Sequence, residues 1–144
     1  MHNHNHFKNK YLENNHYIIM FFIMILSGLL STMNIWSDKI DDIRFSINDV
    51  YMTFLMTGWM FLFMGIFYQN RNVFFIGGIM VIVNIWCIRT QFLVSENQYK
   101  LGMIPHHSMA IHMSKKLLEK ENNISEFVKN IIKTQENEII FLKK

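Results

Sequence analysis

The chain has 144 residues, one domain's worth of length or less, and is 51% hydrophobic and 15% aromatic. Its formal net charge of +3 is mild and its basic residues are scattered, which excludes a nucleic-acid footprint; a single cysteine, Cys87, excludes an internal disulfide and any CxxC motif. No charge falls between Val50 and Gln69, whereas the C-terminal stretch is crowded with Lys and Glu, an unevenness that marks a membrane protein rather than a soluble globule.

Residues 1–16 read as a polar tail. Its Met1-His-Asn-His-Asn-His6 repeat is read as low-complexity sequence, with metal binding as the alternative. Residues 17–36 then run without a charge, long enough at ~1.5 Å per residue to cross a ~30 Å hydrocarbon core. Tyr17 and Trp36 stand at the ends, where interfacial aromatics belong. Lys8 and Lys10 ahead of this run also suit a signal peptide, but the run exceeds an h-region and no small-x-small cleavage site follows, so a retained span is expected. Residues 37–49, with Asp38, Asp41, Asp42 and Asp49, read as a short exposed connector.

The second span covers 51–68 and the third 73–88, completing a membrane domain over 17–88. Only Gln69 to Asn72 separate these two, so they must form an antiparallel helical hairpin. Gly58, Gly65, Gly77 and Gly78 would let helices approach closely, and Asn84 is expected to bond a neighbouring helix. Cys87 reads as a small buried hydrophobe. Met52, Met56, Met60 and Met64 recur every four residues; the row is read as packing or lipid-facing surface, with a conduction line as the alternative. Basic residues near the spans (Lys8, Lys10 and Arg71 against Lys39, Arg44, Arg89 and Lys100) leave the orientation undecided.

Residues 89–144 form the second domain. The pattern from Arg89 to Lys100 is amphipathic, Gly102 suggests a helix end, and Pro105 suits the first turn of a new helix running to about Lys120. Asn122 and Asn123 make a turn, and Ser125 is a good N-cap for a last helix ending near Leu142. Such a hairpin is too small to bury an adequate core alone. It must pack on the Arg89–Lys100 segment, on a second copy, or on another protein. The expected fold is therefore all-α, with three transmembrane helices followed by a C-terminal helical hairpin.

The chemistry-bearing residues cluster in that hairpin. Met103-Ile-Pro-His-His-Ser-Met-Ala-Ile-His-Met113 holds three imidazoles and three thioethers, side chains that suit copper, with thioethers favouring Cu(I). On a helix, His106, Met109 and Met113 share one stripe; His112 borders it, and Met103 could fold back toward His106. His107 points roughly 100° away from His106. A helix N-terminus repels a cation, yet it also lowers imidazole pKa and keeps the rings neutral and able to bind. The last helix carries an apolar stripe of Val128, Ile131, Ile132, Ile139 and Leu142, interrupted by Gln135 and flanked by Glu138. A carboxylate there needs an ion, a histidine or another hydrogen-bonding partner; His106 or His107 across the hairpin would serve and would be oriented by it.

Met-Ile-Pro-His-His-x-x-Ala-Ile-x-Met at 103–113, followed by Ile-Ile-x-x-Gln-x-x-Glu-Ile at 131–139, resembles the signature of the CopM-like family, domain of unknown function 305. The resemblance implies a ferritin-like helical half-bundle and a copper ion held in an extracytoplasmic compartment. It implies that Met103, His106, His107 and Met113 belong to the metal-associated motif, and Gln135 and Glu138 to the second. His112 stands where relatives often carry an acid, and Leu142 where a methionine is common. The chain has one copy of a motif pair that longer members repeat, which fits a homodimeric four-helix bundle. Met-x-x-x-Met on the second of three spans is also similar to the Ctr copper transporters, but Gly-x-x-x-Gly is missing from the third span and those transporters lack the His-His motif.

The expectation is an integral membrane protein in lipid that presents a copper-binding hairpin and binds, buffers or hands over the ion. Met103, His106, His107, Met109, His112 and Met113 are the candidate ligands, with Gln135 and Glu138 as supporting or additional ones. No nucleophile–base pair, phosphate loop or paired carboxylates are present, so no enzyme is expected. The rivals are a structural or interaction module without metal, and a copper-conducting transporter.

Overall fold

A computed structural model describes residues 16–144, and the backbone alone of residues 3–15. The readings placed on the His-Asn repeat at 1–6 and on Lys8 and Lys10 lie outside the described residues. Five α-helices follow one another: α1 (Asn3–Leu30), α2 (Ile47–Phe67), α3 (Arg71–Thr90), α4 (Glu96–Leu118) and α5 (Ser125–Leu142). Among the described residues there is no strand, and the all-α expectation holds. Among the described residues, three segments are long and apolar enough to cross a membrane: His16–Trp36, Ile47–Phe67 and Arg71–Thr90.

The first of these does not stay α-helical. α1 stops at Leu30, Thr32 is extended, and Met33–Trp36 form a 3-10 turn. The side chains explain the break: Asn34 donates to Thr32 Oγ1 (3.1 Å) and to Arg44 O (2.7 Å), and its Oδ1 accepts from Arg44 N (3.0 Å). Such side-chain bonds offer the backbone an alternative to the helix.

The chain divides into two units, one of residues up to 30 with 52–86, the other of residues 31–51 with 87–144. In the first, α2 ends in a Schellman turn. Asn70 N reaches back to Gly65 O (2.9 Å) and Gln69 N to Ile66 O (3.2 Å), with Gln69 at φ 54°. Asn70 Oδ1 then accepts from Asn72 N (3.1 Å) and Val73 N (3.3 Å), capping α3. The hairpin expected from the short 69–72 loop therefore forms, and glycines set its closeness. A Cβ at Gly65 would lie 2.5 Å from Phe74 Cα, and one at Gly77 would lie 2.8 Å from Gly58 O. Gly78 faces open space. Phe21 packs its ring near those of Phe54 and Phe61, tying α1 to α2.

Two polar side chains in this unit bond within their own helices. Thr57 donates to Thr53 O (2.9 Å) and Asn84 to Met80 O (2.7 Å), each one turn back. Asn84 was expected to bond a neighbouring helix; its own carbonyl ladder, one turn away, supplies the nearer acceptor. Met52, Met56 and Met60 are exposed on the surface, as are Phe22 and Ile79, which suits side chains turned toward lipid.

The second unit corrects the reading of the connector as exposed. Asp42, Ser46 and Asp49 are buried. Asp49 Oδ2 accepts from Ser46 N (2.8 Å) and Ser46 Oγ (2.9 Å), an N-terminal capping arrangement for α2. Gln98, on α4, accepts from Ile47 N (2.8 Å) and satisfies another unpaired donor of that first turn. Tyr51 Oη donates to Phe92 O (2.6 Å), fastening the loop after α3.

Gly102 does not end a helix and Pro105 does not start one; both lie inside α4. The helix begins earlier because Ser95 Oγ accepts from Gln98 N (3.3 Å) and caps it. Pro105 removes one N–H, the partner of Leu101 O, but its fully buried ring gains packing. Gly102 passes against Ser46, where an added Cβ would sit 3.4 Å from the hydroxyl.

Candidate metal site on the helical hairpin

α4 turns inward at Ile104, His107, Ser108, Ile111 and Ser114, a three- and four-residue spacing that defines one helical face. α5 answers with buried Val128 and Ile139 and half-buried Ile131, Ile132, Gln135 and Leu142. Asn122 sets the turn between them: its amide nitrogen donates to Leu117 O (3.2 Å) and Lys120 O (2.9 Å), and its oxygen accepts from Ile124 N (3.2 Å) and Ser125 Oγ (2.9 Å). One side chain thereby closes the end of α4 and opens α5.

His107 is 8% exposed, and its Nδ1 lies 2.8 Å from Glu138 Oε2 across the hairpin. Burial pushes the His107 pKa below its ordinary value; the Glu138 charge opposes this, the neighbouring His106 adds to it, and polar contacts with Glu138 and Gln135 oppose it. Desolvation wins, so the ring is neutral near pH 7. The contact with Glu138 is close but not aligned as a hydrogen bond, so buried Nδ1 meets charge without a hydrogen-bond partner; a proton carried on that side would leave the lone pair on Nε2. A carboxylate beside one imidazole nitrogen is the kind of neighbour that orients metal-binding histidines through the other.

Ser108, one residue on, is wholly buried. Its hydroxyl donates to Asp42 Oδ2 (2.7 Å) and accepts from Asp38 N (2.9 Å). Lys115 pairs with Asp38 (2.6 Å), and Lys143 with Asp41 and with Asp42 Oδ1 (2.7 Å). These pairs hold the Asp41 carboxyl below, and the Lys143 amine above, their usual ranges. The acidic connector is thus the partner that the small hairpin required.

The other candidate ligands are less gathered. His106 is exposed, its ring centroid 5.9 Å from that of His107 in an edge-on arrangement. Met103, Met109 and His112 are half-buried, and Met113 is 53% exposed on the outward side of α4. Among the described residues, no three His, Cys, Asp or Glu side chains converge in a way that could hold a metal ion. The structure therefore brings together His107, Glu138 and Gln135 and sets His106 beside them; of the expected stripe, His106 and Met113 are exposed and Met109 is half-buried. Sequence reasoning missed the Ser108–Asp42–Lys143 group. It also missed two capping signatures legible as Ser46-x-x-Asp49 and Ser95-x-x-Gln98.

These features define a class: among the described residues, an all-helical chain with three segments able to span a membrane and a helical hairpin in which a buried histidine meets a half-exposed carboxylate. Residues 90–144 match the family model described as Domain of unknown function (DUF305). The chain is 38% identical over 135 residues, 89% of its own length and of the relative's, to the "Uncharacterized protein L153" of Acanthamoeba polyphaga mimivirus. It belongs to the DUF305 family. No solved structure matches it.

Proposed function

We propose that this is a membrane-anchored metal-binding protein, of CopM-like type, that binds, buffers or hands over copper on an extracytoplasmic face. The observation that carries the reading is the buried His107 with the Glu138 carboxylate 2.8 Å from its Nδ1, a neighbour that would orient the ring so that Nε2 could bind. Imidazole and thioether are the donors copper favours, and the His107 segment is dense in both. His107 would hold the ion with His106 and with Met103 or Met109. Glu138 and Gln135 would orient the ring. His112 and Met113 stand farther out on α4, where a second copy of the chain in a homodimer would meet them. Copper, bound there, would be cargo rather than a catalytic centre.

A second reading has its own support. The exposure of His106 and Met113 suits an interaction module in which His107 and Glu138 form a polar core pair and no metal binds. Metal analysis of the detergent-purified full chain, wild type beside His107→Gln and the His106→Ala/His107→Ala double variant, separates the readings. Copper retained by the wild type against a chromogenic Cu(I) chelator, and lost from both variants, supports the proposal. A wild type that retains none at micromolar copper overturns it in favour of the interaction module.

A further inference from the structure

Arg44 lies three residues before α2, on the edge of a cavity of about 420 Å³ within the second unit. Lys100, Lys143 and Lys144 also line it, and Leu101 and Leu142 contribute apolar wall. No acidic side chain faces in among its lining residues. The four cations are not equally engaged. Lys143 is committed to Asp41 and Asp42, and Lys100 pairs at 3.1 Å with a Glu96 that is 84% exposed, a contact worth little in water.

Arg44 is the organised member. Its Nη1 donates to Asp41 O (2.9 Å) and to Ile43 O (2.7 Å), which fixes the plane of the guanidinium. A guanidinium has five N–H donors, so the three on Nη2 and Nε remain for a ligand. A planar donor fork held still in this way matches two oxygens of a phosphate group, and ammonium groups nearby add charge without geometric demand.

The cavity also has a definite level. Gln98, two residues before Lys100 on α4, accepts the hydrogen bond of Ile47 N, the first residue of a segment able to span a membrane. Lys100 and Arg44 therefore flank the first turn of α2, the depth at which lipid head groups lie when that segment spans a bilayer. Basic pockets at this depth, with apolar wall beside them, suit an anionic head group and the esterified carbons behind it.

We propose that this cavity is a phosphate-binding site, with Arg44 as the fixed fork and Lys100 and Lys144 as supporting charges, suited to the head group of an anionic phospholipid. The proposal stands apart from the metal reading and uses none of its residues.

The test is native mass spectrometry of the full chain released from nanodiscs of mixed phosphatidylglycerol and phosphatidylcholine, with and without millimolar inorganic phosphate. The variant is Lys100→Gln/Lys144→Gln, which leaves the backbone bonds of Arg44 intact. The wild type should retain one phosphatidylglycerol in preference to phosphatidylcholine. The double variant should retain it about thirtyfold less, the weight of two basic side chains at an anionic surface. Arg44→Gln should lose it as well, and Arg44→Lys should restore only part because the fork is gone. Lipid retained in the presence of inorganic phosphate identifies the membrane as the source. Displacement by inorganic phosphate, lost in the variant, assigns the same site to a soluble phosphate-bearing molecule. Equal retention of both lipids, or equal retention by wild type and double variant with no effect of phosphate, overturns the proposal.

Discussion

At the scale of single residues, His107 connects folding with chemistry. Its ring is buried against a carboxylate, and the cause of its lowered pKa is mainly desolvation. An unfolded chain, with an ordinary histidine pKa of 6.5, takes up the proton first as pH falls. Stability from this residue is therefore complete above pH 6.5 and is lost progressively below it, toward the lower folded-state pKa. Thermal melts of chelator-treated protein in detergent, from about pH 8 to about pH 5, should show this loss, and His107→Gln should flatten the slope. A variant with an unchanged pH profile would place the titrating group elsewhere. Glu138→Gln tests the carboxylate itself: it keeps the shape but removes the charge beside Nδ1, and copper affinity should fall about 10- to 100-fold in a chelator competition. Ser108→Ala removes the one hydroxyl that serves both Asp42 and Asp38 N. It should destabilise the hairpin by about 1–3 kcal/mol, read from denaturant melts followed by circular dichroism.

At the scale of elements, the α2–α3 hairpin is specified by where its backbones touch. At Gly77 a Cβ would meet backbone atoms of α2, which cannot rotate away, whereas at Gly78 it would meet nothing. Gly77→Ala should therefore destabilise the pair by about 1–3 kcal/mol, and Gly78→Ala should be neutral or stabilising by up to about 1 kcal/mol. Unfolding in mixed micelles of rising SDS content reads the difference. All four glycines were visible in the sequence as places for close approach, but identical residue types gave no way to tell Gly77 from Gly78; only helix rotation separates them. The spans were legible because bilayer thickness dictates an apolar length that composition reveals directly. The breakers in α4 misled for the opposite reason. Gly102 and Pro105 carry an intrinsic preference against a helix interior that tertiary burial overrides, and the Ser95 cap upstream decides where the helix starts. The facing of His107 on Glu138 was legible, as one of two options, because an ionisable group on an apolar stripe demands a partner. The outward turn of Met113 was not, since a helix dense in His and Met on every side has no single polar face.

At the scale of the whole molecule, the acidic connector converts a hairpin too small to stand alone into part of a cooperative unit. Sequence reasoning placed the connector acids in solvent, which holds for Asp41 but not for Asp42 or the half-buried Asp38, because acids between spans are usually solvated and their partners lie far along the chain. Lys143, Ser108 and Lys115 come from α4 and the end of α5, separated from the connector by two helices of membrane domain. Asp42 is the hub: it is 2% exposed and takes Ser108 on one oxygen and Lys143 on the other. Removing a buried partner leaves the remaining polar groups unmatched, at about 1–3 kcal/mol. Asp42→Ala should accordingly loosen α5 and the second half of α4 together, raising amide hydrogen exchange across both while the α2–α3 hairpin at 58–81 stays protected. Exchange that rises only at residues 40–44 would mean that the connector is a passive cover. In that case the hairpin would be held by its own apolar face, Ile104 and Ile111 against Val128 and Ile139, and His107 would keep its orientation without any help from the connector.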